Sequence, residues 1–208
     1  MDPRITHVLT CHPTHLWVGT RERLGVTRLS TGYTVLDAAL EGGWPQGGLV
    51  EILARSHGLG RLTLLLPTLA GLSRYTHIAW LAQMPYAPAL AQAGVDASRV
   101  LVVDTADTRR RLWAAERCLK SGACGALVLQ EDSHLPDPWL RRLKLAAAGS
   151  ATTAFLLRAA SAAATASPAS LRLLVAAMPH SETRRITVLK HGTASSRTIT
   201  LDPHAIGH

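Results

Sequence analysis

Short apolar runs alternate with amphipathic segments along most of this chain. The apolar runs predict buried strands, because each is bounded by glycine, proline or polar residues and is too short for an ordinary helix. They lie at Leu49–Ala54, Thr76–Ala82, Arg99–Asp104, Cys124–Gln130, Ala151–Leu157 and Leu171–Met178. Helical segments separate them, so the pattern predicts an α/β fold.

Helical spacing marks the segments Arg61–Arg74, Asp107–Ser121 and Pro136–Gly149. Pro67 should kink or break the first of these helices, and Asp107 is placed to cap the second. After the last apolar strand, Arg184–His191 and Arg197–Asp202 alternate in polarity around a turn that contains Gly192. This arrangement predicts an antiparallel hairpin.

The two later helices each have an apolar and a basic side. Leu112, Ala115 and Leu119 recur at helical spacing and predict the inner side of the first. The predicted inner side of the second comprises Trp139, Leu140, Leu143 and Ala147. The outer side of the first carries Trp113 among basic residues, and tryptophan and arginine are enriched where proteins bind partners. A solvated face, with the tryptophan packed against a neighbour, is the alternative interpretation. The predicted partner or DNA surface comprises Arg109, Arg110, Arg111, Trp113, Arg117, Lys120, Arg141, Arg142 and Lys144.

The composition predicts one folded domain with an acidic partner. A chain of 208 residues with 47% hydrophobic and 17% charged residues can bury a full core, which argues against a disordered chain. The formal net charge of +8 suits binding to nucleic acid or to an acidic protein face. The three cysteines form no disulfide framework, and no signal peptide or membrane span is evident. A reducing cytoplasm is therefore expected.

Residues 1–28 predict a polar lead-in segment that precedes the main domain. His7, Cys11, His12 and His15 lie close together there, and they are residue types that bind zinc. No second pair of ligands follows at the spacing of a zinc finger, so we expect no metal site.

The segment after the first apolar strand has the layout of a phosphate-binding loop. Strand, glycine-bearing loop and helix follow one another, as around the pattern G-x-x-x-x-G-K-[ST]. Only Gly60 fits this pattern, although Gly58 adds another glycine to the loop. Arg55 replaces the first glycine, and Arg61 replaces the lysine with a longer, planar cation. Leu62 replaces the Ser or Thr that would ligate Mg²⁺, so the loop is predicted to be degenerate.

The sequence before this loop resembles the start of the RecA core. Thr31–Ile52 reads TGYTVLDAALEGGWPQGGLVEI, which is similar to the pattern T-G-x-x-x-L-D-x-x-L-G-G-[LIW]-P-x-G-x-[IV]-x-E-I before the RecA nucleotide loop. A RecA-like core of this size with a degenerate loop resembles the ImuA family, also described as SulA-like. Those proteins are accessory factors of mutagenic translesion DNA synthesis, and the resemblance covers Leu29–Leu201.

The resemblance implies an α/β fold: a RecA-like three-layer core with a mainly parallel sheet and a C-terminal antiparallel hairpin. The core is expected at residues 29–202 and a tail at 203–208. Residues 159–168, which are rich in alanine, stand in place of a DNA-binding loop and are predicted to be mobile.

The resemblance also implies further losses from an ATPase site. Gln83 stands at the position of the water-activating glutamate, and the strand that should end with a Mg²⁺-binding aspartate ends with Gln130 and Glu131. Arg158 replaces a nucleotide-sensing glutamine. Lys190 matches a lysine that reaches the ATP of a neighbouring subunit and is predicted here to be a surface charge. With these losses we expect no cofactor and no enzymatic activity.

By resemblance, the protein is a non-enzymatic adaptor in SOS-type DNA-damage tolerance. The family implies binding to ImuB, an inactive relative of Y-family polymerases, and to RecA. It also implies contact with an error-prone C-family polymerase through the complex, and association with the nucleoid. Two alternatives are an ATPase in which Arg61 substitutes for lysine, and a DNA-binding module that uses the basic helix surface.

Overall fold

The computed structural model describes residues 27–55, 60–81, 85–178, 181–192 and 196–206. The strands are β1 (Arg28–Leu29), β2 (Trp44–Pro45), β3 (Leu49–Ala54), β4 (His77–Leu81), β5 (Val100–Val102), β6 (Cys124–Gln130), β7 (Thr153–Ala159), β8 (Leu171–Ala177), β9 (Arg184–His191) and β10 (Arg197–Leu201). The helices are α1 (Thr34–Ala39), α2 (Gly60–Thr63), α3 (Leu66–Ser73), α4 (Ala87–Gln92), α5 (Thr108–Ser121) and α6 (Asp137–Ala148). Short 3₁₀ helices cover Ala97–Arg99 and Ala160–Ala164.

Local sequence signals account for most of these bounds. Strands β3 and β6 begin and end at the predicted residues. Asp107 caps α5, because its Oδ1 accepts hydrogen bonds from the backbone N–H groups of Arg109 and Arg110 at 2.8 and 3.2 Å. The helix predicted at 61–74 is divided into α2 and α3. Pro67 lies in the first turn of α3, where its missing N–H would have no partner in any case.

Eight strands form one sheet in the order β10-β9-β8-β3-β7-β6-β4-β5. The six strands from β8 to β5 run parallel, whereas β9 is antiparallel to β8 and β10 is antiparallel to β9. This confirms the predicted parallel sheet with a C-terminal hairpin. Parallel strands bring their last residues to the same edge, which we call the carboxyl edge.

Helices cover both faces of the sheet. One core lies between the sheet and helices α1, α3 and α4, and it includes Leu36, Leu69 and Ile52. The other lies between the sheet and helices α5 and α6, and it includes Leu112 and Leu143. The inner sides of α5 and α6 are therefore those that helical spacing predicted, and their outer sides are left for other roles.

The motif that carries the resemblance is a packing element. Trp44 has no exposed surface, its Nε1 donates to Oγ1 of Thr68 at 2.8 Å, and its ring meets Phe155 edge-on at 5.5 Å. Gly43 has a φ of +112°, and a Cβ there would lie 2.1 Å from the carbonyl oxygen of Leu29. Only glycine fits this position, so the motif specifies how the chain enters β3.

Two predictions about β7 and the segment after it are wrong. Strand β7 continues to Ala159, so Arg158 lies inside the strand and not beyond its end. The alanine-rich segment is ordered, because Arg172 donates from Nη1 to the carbonyl oxygen of Thr165 and from Nη2 to that of Ala162, at 2.9 and 2.7 Å. A distant side chain thus satisfies backbone groups that the local sequence leaves without partners.

Some predictions concern residues that the structure does not describe. The histidine and cysteine cluster at 7–15, Gly58 of the loop, and Gln83 lie outside the described ranges. The predicted domain bounds stay predictions. Within the described residues, no helix combines the length and the apolar character that crossing a bilayer requires.

Candidate functional site

The degenerate loop joins β3 to α2 at the carboxyl edge of the sheet. Arg55 follows β3 and is exposed, whereas Arg61, at the position of the phosphate-binding lysine, is buried. Nη1 of Arg61 lies 2.7 Å from Oδ1 of Asp132. Asp132 follows β6, the strand that carries a Mg²⁺-binding aspartate in phosphate-loop proteins. A partly buried ion pair therefore joins the two positions that would serve phosphate and metal.

The residues here do not fit ATP with Mg²⁺. A phosphate-binding lysine must reach the β- and γ-phosphates, but the side chain of Arg61 is only 4% exposed. Leu62 packs against the core and has no oxygen to offer a metal ion. A phosphate that used Arg61 would have to break its pair with Asp132 and would then face an additional negative charge.

The carboxylate at the end of β6 is also engaged inside the protein. Glu131 is 6% exposed, and its Oε2 accepts from Nη1 of Arg111 at 3.1 Å. Its Oε1 accepts from the hydroxyl of Ser133 at 2.6 Å, and Nε2 of Gln130 donates to Oδ2 of Asp132 at 3.3 Å. Arg111 therefore turns inward and is not part of the exposed helix surface to which the sequence assigned it. The physical reason is that a buried carboxylate requires a cation beside it.

Sequence reasoning missed a buried ionic cluster on β3, β7 and β8. Glu51 has no exposed surface; its Oε2 accepts from Nε of Arg172 at 2.7 Å, and its Oε1 lies 3.4 Å from Nη1 of Arg158. Parallel pairing of β3 with β8 places Glu51 directly beside Arg172. We call these three residues the Glu51 cluster. The signal that could have revealed it is a charged residue inside an apolar strand, which needs a partner of opposite charge.

The segment between β7 and β8 is hydrogen-bonded to this cluster. The hydroxyl of Ser167 donates to Oε1 of Glu51 at 2.7 Å, and Nζ of Lys190 donates to the carbonyl oxygen of Ser167 at 2.9 Å. Lys190, predicted to be a surface charge, is half-buried and holds this segment through its ammonium group. Burial lowers the pKa of Lys190, and the nearby charges of Lys144 and Arg172 lower it further.

An open cavity of about 630 Å³ lies beside the loop at the carboxyl edge. It is lined by Arg55 and Gly60, by the last residues of β8, and by Arg184 and Arg185 of β9. The side chain of Arg184 lines the cavity near Gly60, with its Nε 3.5 Å from the place where a Cβ on Gly60 would lie. No carboxylate lines the cavity within the described residues, so its electrostatic potential favours an anion.

Helices α5 and α6 carry two tryptophan–arginine pairs, one exposed on the outer side of α5 and one whose tryptophan, Trp139, also packs against the core. Trp113 is 55% exposed, and the guanidinium of Arg117 lies over its ring, 5.5 Å from the centroid. On α6, the guanidinium of Arg142 lies 4.3 Å from the centroid of Trp139. These four residues together with Lys120 form what we call the tryptophan–arginine face.

Glu116 connects the two helices across this face. Its Oε1 accepts from Nζ of Lys120 at 2.7 Å, and its Oε2 contacts Nη2 of Arg142. The hydrogen bond from Lys120 lowers the pKa of Glu116, and the bond from Arg142 lowers it further against the opposing effect of burial. The same contacts hold Arg142 in position over Trp139, so the face has a defined geometry.

The structure divides the other predicted surface residues. Arg109 and Arg110 are exposed on α5, within one helical turn of Trp113, and Arg141 is exposed on α6. Lys144 is half-buried and close enough to Lys190 of β9 to lower its pKa, so it lies on another side of α6. The residues brought together are Arg109, Arg110, Trp113, Arg117, Lys120 and Arg142, whereas Arg111 and Lys144 are set apart, and Arg141 is one helical turn from Lys144.

Comparison with known proteins identifies the fold. No family model matches the chain, and no curated protein matches it. Among solved structures, the chain is similar to the crystal structure of the RadB recombinase, with a TM-score of 0.65 and 16% sequence identity over 83% of this chain and 94% of that one. Similarity at this identity concerns the fold alone. The chain therefore has the RecA-like α/β fold that the motif at 31–52 predicted, while membership of the ImuA family stays a prediction.

Proposed function

We propose that this protein is a non-enzymatic, RecA-like adaptor in SOS-type DNA-damage tolerance. It binds ImuB and RecA, contacts an error-prone C-family polymerase through their complex, and acts in the cytoplasm at the nucleoid. The observation that carries the proposal is the ion pair between the buried Arg61 and the partly buried Asp132. In an ATPase, the cation at the position of Arg61 would contact phosphate, and the carboxylate after β6 would bind the metal ion. Here the two charges contact each other instead.

Other buried carboxylates of the sheet support the same conclusion. Glu131, after β6, is paired with Arg111, and Glu51, inside β3, is paired with Arg172, so both carboxylates have partners within the domain. Internal pairing of this kind suits a rigid scaffold, because each charge has a partner without a ligand. The fold is shared with a recombinase, which is consistent with a role in DNA repair.

Calorimetry tests the nucleotide part of this proposal. Titration of ATP and Mg²⁺ into the purified chain should show no binding tighter than millimolar, because Arg61 is paired and Leu62 cannot ligate the metal. Binding tighter than millimolar that Arg61→Ala abolishes would overturn the proposal.

Pull-downs test the adaptor part. Purified ImuB and purified RecA should each be retained by the immobilised chain. Retention of neither protein would contradict the adaptor function, whatever the outcome of the nucleotide titration.

A second candidate function is an ATPase with a variant loop. The cavity lined by Arg55, Arg184 and Arg185 favours it, since these cations face an open space beside the loop. Under this alternative, ATP binding would depend on Arg184, and Arg184→Ala would abolish both binding and steady hydrolysis. The adaptor proposal expects neither activity in either form of the protein.

A further inference from the structure

We propose that the tryptophan–arginine face docks an acidic segment of a partner protein, with Trp113 as the apolar anchor. The inference rests on the proposed adaptor function and adds a surface and the chemistry of the partner. The inner sides of α5 and α6 are buried through Leu112 and Leu143, whereas the side chains of Trp113 and Arg117 on the outer side are exposed. The two helices therefore present an outer surface that the fold itself does not need.

This face is organised before any partner arrives. Each tryptophan ring has a guanidinium over it, and Glu116 holds Lys120 and Arg142 in place. Rings and guanidinium groups that are already positioned lose little conformational entropy when they are covered. Tryptophan and arginine are also the residue types that most often dominate binding energies at interfaces.

Exposed positive charge is concentrated around Trp113. Arg109 lies one helical turn before it and Arg117 one turn after it, and both are exposed. Within the described residues neither has a carboxylate at salt-bridge distance, in contrast to Lys120 and Arg142. An occupant that covers Trp113 must therefore bring negative charge to both sides of the ring.

The central carboxylate favours a protein segment over nucleic acid. Glu116 is 7% exposed and is bonded to both Lys120 and Arg142, so it occupies two of the cations that a phosphate chain crossing the face would use. The rings of Trp113 and Trp139 already carry a guanidinium on one side, which leaves less of each ring for base stacking. A protein segment can place carboxylates on Arg109 and Arg117 in bidentate pairs and pack an apolar side chain on Trp113.

The dimensions of α5 suit a helical partner. Its 14 residues extend over about 21 Å, which matches an acidic amphipathic helix of roughly four turns. Such a helix would lay apolar side chains along Trp113 and carboxylates along the flanking arginines, as in other helix-and-groove contacts.

Fluorescence anisotropy with three labelled probes and the full chain tests the inference. One probe is an amphipathic helical peptide with leucine on one side and glutamate on the other. The second is the same peptide with lysine in place of glutamate, and the third is a mixed-sequence single-stranded oligonucleotide. We expect the acidic peptide to bind, the lysine peptide not to bind, and the affinity to fall as salt is added.

Matched variants separate the face from the rest of the surface. Trp113→Ala and Arg117→Glu change exposed side chains, and each should weaken binding of the acidic peptide by roughly tenfold or more. Tyr75→Ala and Arg74→Glu are the controls, since Tyr75 is 81% exposed and Arg74 is exposed at the end of α3, on the opposite layer. The controls should change the affinity by less than about twofold.

The possible outcomes are distinct. The proposal is overturned if the acidic peptide does not bind the wild-type chain, or if face and control variants bind it equally. Tight oligonucleotide binding that Trp113→Ala abolishes also overturns it, in favour of a DNA-binding surface. If ImuB and RecA bind the wild type and the face variants alike, the adaptor function stands and the proposed face is wrong. If neither binds while the acidic peptide requires Trp113, the face stands and the assigned partners are wrong.

Discussion

Arginine has opposite roles at the carboxyl edge of the sheet and on the tryptophan–arginine face. At the edge, Arg61 and Arg111 are largely buried, and each lies within hydrogen-bonding distance of a carboxylate, at 2.7 and 3.1 Å. On the face, Arg117 and Arg142 lie over tryptophan rings, and the side chain of Arg142 stays 49% exposed. Charges at the edge are used within the protein, whereas Arg109 and Arg117 on α5 have no carboxylate at salt-bridge distance among the described residues and are left for a partner.

The difference teaches that the surroundings of an arginine, and not its presence in a basic run, decide what it does. Arg109, Arg110 and Arg111 are consecutive, yet only the third faces a buried carboxylate. Breaking a buried pair leaves an uncompensated charge and is costly, whereas an exposed pair contributes little to stability. Substitutions at the edge should therefore change stability without changing partner binding, and substitutions on the face should do the reverse.

The largest expected effect is at Glu51. Glu51→Gln keeps the volume of the side chain but leaves Arg158 and Arg172 buried without a carboxylate, so we expect a loss of about 3–5 kcal/mol in the free energy of unfolding. Urea denaturation measures this loss. Glu41→Gln is the matched control, because Glu41 is exposed and contacts Arg197 at 3.5 Å; it should cost less than about 1 kcal/mol. Equal effects at the two glutamates would contradict the comparison.

A smaller effect is expected at the loop. Asp132→Asn removes the charge that neutralises Arg61 and should lower the free energy of unfolding by about 1–3 kcal/mol, while binding of the acidic peptide stays unchanged. Asp104→Asn, at an exposed aspartate after β5, is the control and should stay within about 0.5 kcal/mol. Unchanged stability in Asp132→Asn would show that the ion pair does not form in solution.

His191 extends the comparison to a buried nitrogen atom, Nδ1, that has no hydrogen-bond partner among the described residues. His191 is 6% exposed. Burial lowers the pKa of His191 below 6.5, and the charge of Arg28 lowers it further. The unfolded chain then takes up a proton near pH 6.5 before the folded chain does. Neutral His191 therefore contributes its full stability above about pH 6.5. This contribution is lost as the pH falls from there to the lower pKa of the folded state.

Urea midpoints at about pH 7.5 and about pH 5.5 test this titration. The wild type should lose stability between them, and His191→Gln should lose less, because the variant has no group that titrates at this position. An equal loss in both proteins would assign the pH dependence to other groups.

The smallest effect on stability is expected on the face. Trp113→Ala and Arg117→Glu should each change the free energy of unfolding by less than about 1 kcal/mol, because both side chains are exposed. Trp139→Ala should cost more than Trp113→Ala, since Trp139 packs against the core beneath α5 and α6. A large loss in Trp113→Ala would mean that this ring stabilises the fold and is not kept for a partner.

The candidate site could be predicted only in part. The substitutions Arg61 and Leu62 were visible in the sequence, because a phosphate-binding loop is a local pattern. The partner of Arg61 was not, since Asp132 is 71 positions away and follows another strand. Arg111 was misassigned for the same reason: its place on α5 follows from helical spacing, but its direction follows from Glu131.

By itself, the sequence pattern determined the bounds of β3 and β6, the cap at Asp107, the inner sides of α5 and α6, and the C-terminal hairpin, while the parallel sheet was implied by the resemblance of residues 31–52 to the RecA core. These features depend on the periodicity of apolar residues and on side chains that act within one turn or one strand. The tertiary structure alone decided which charges meet. Glu51 and Arg172, separated by 121 positions, pair because β3 and β8 are neighbours, and the same pairing orders the alanine-rich segment. The order of strands in the sheet decides which charged residues become neighbours, and a local sequence pattern does not specify that order.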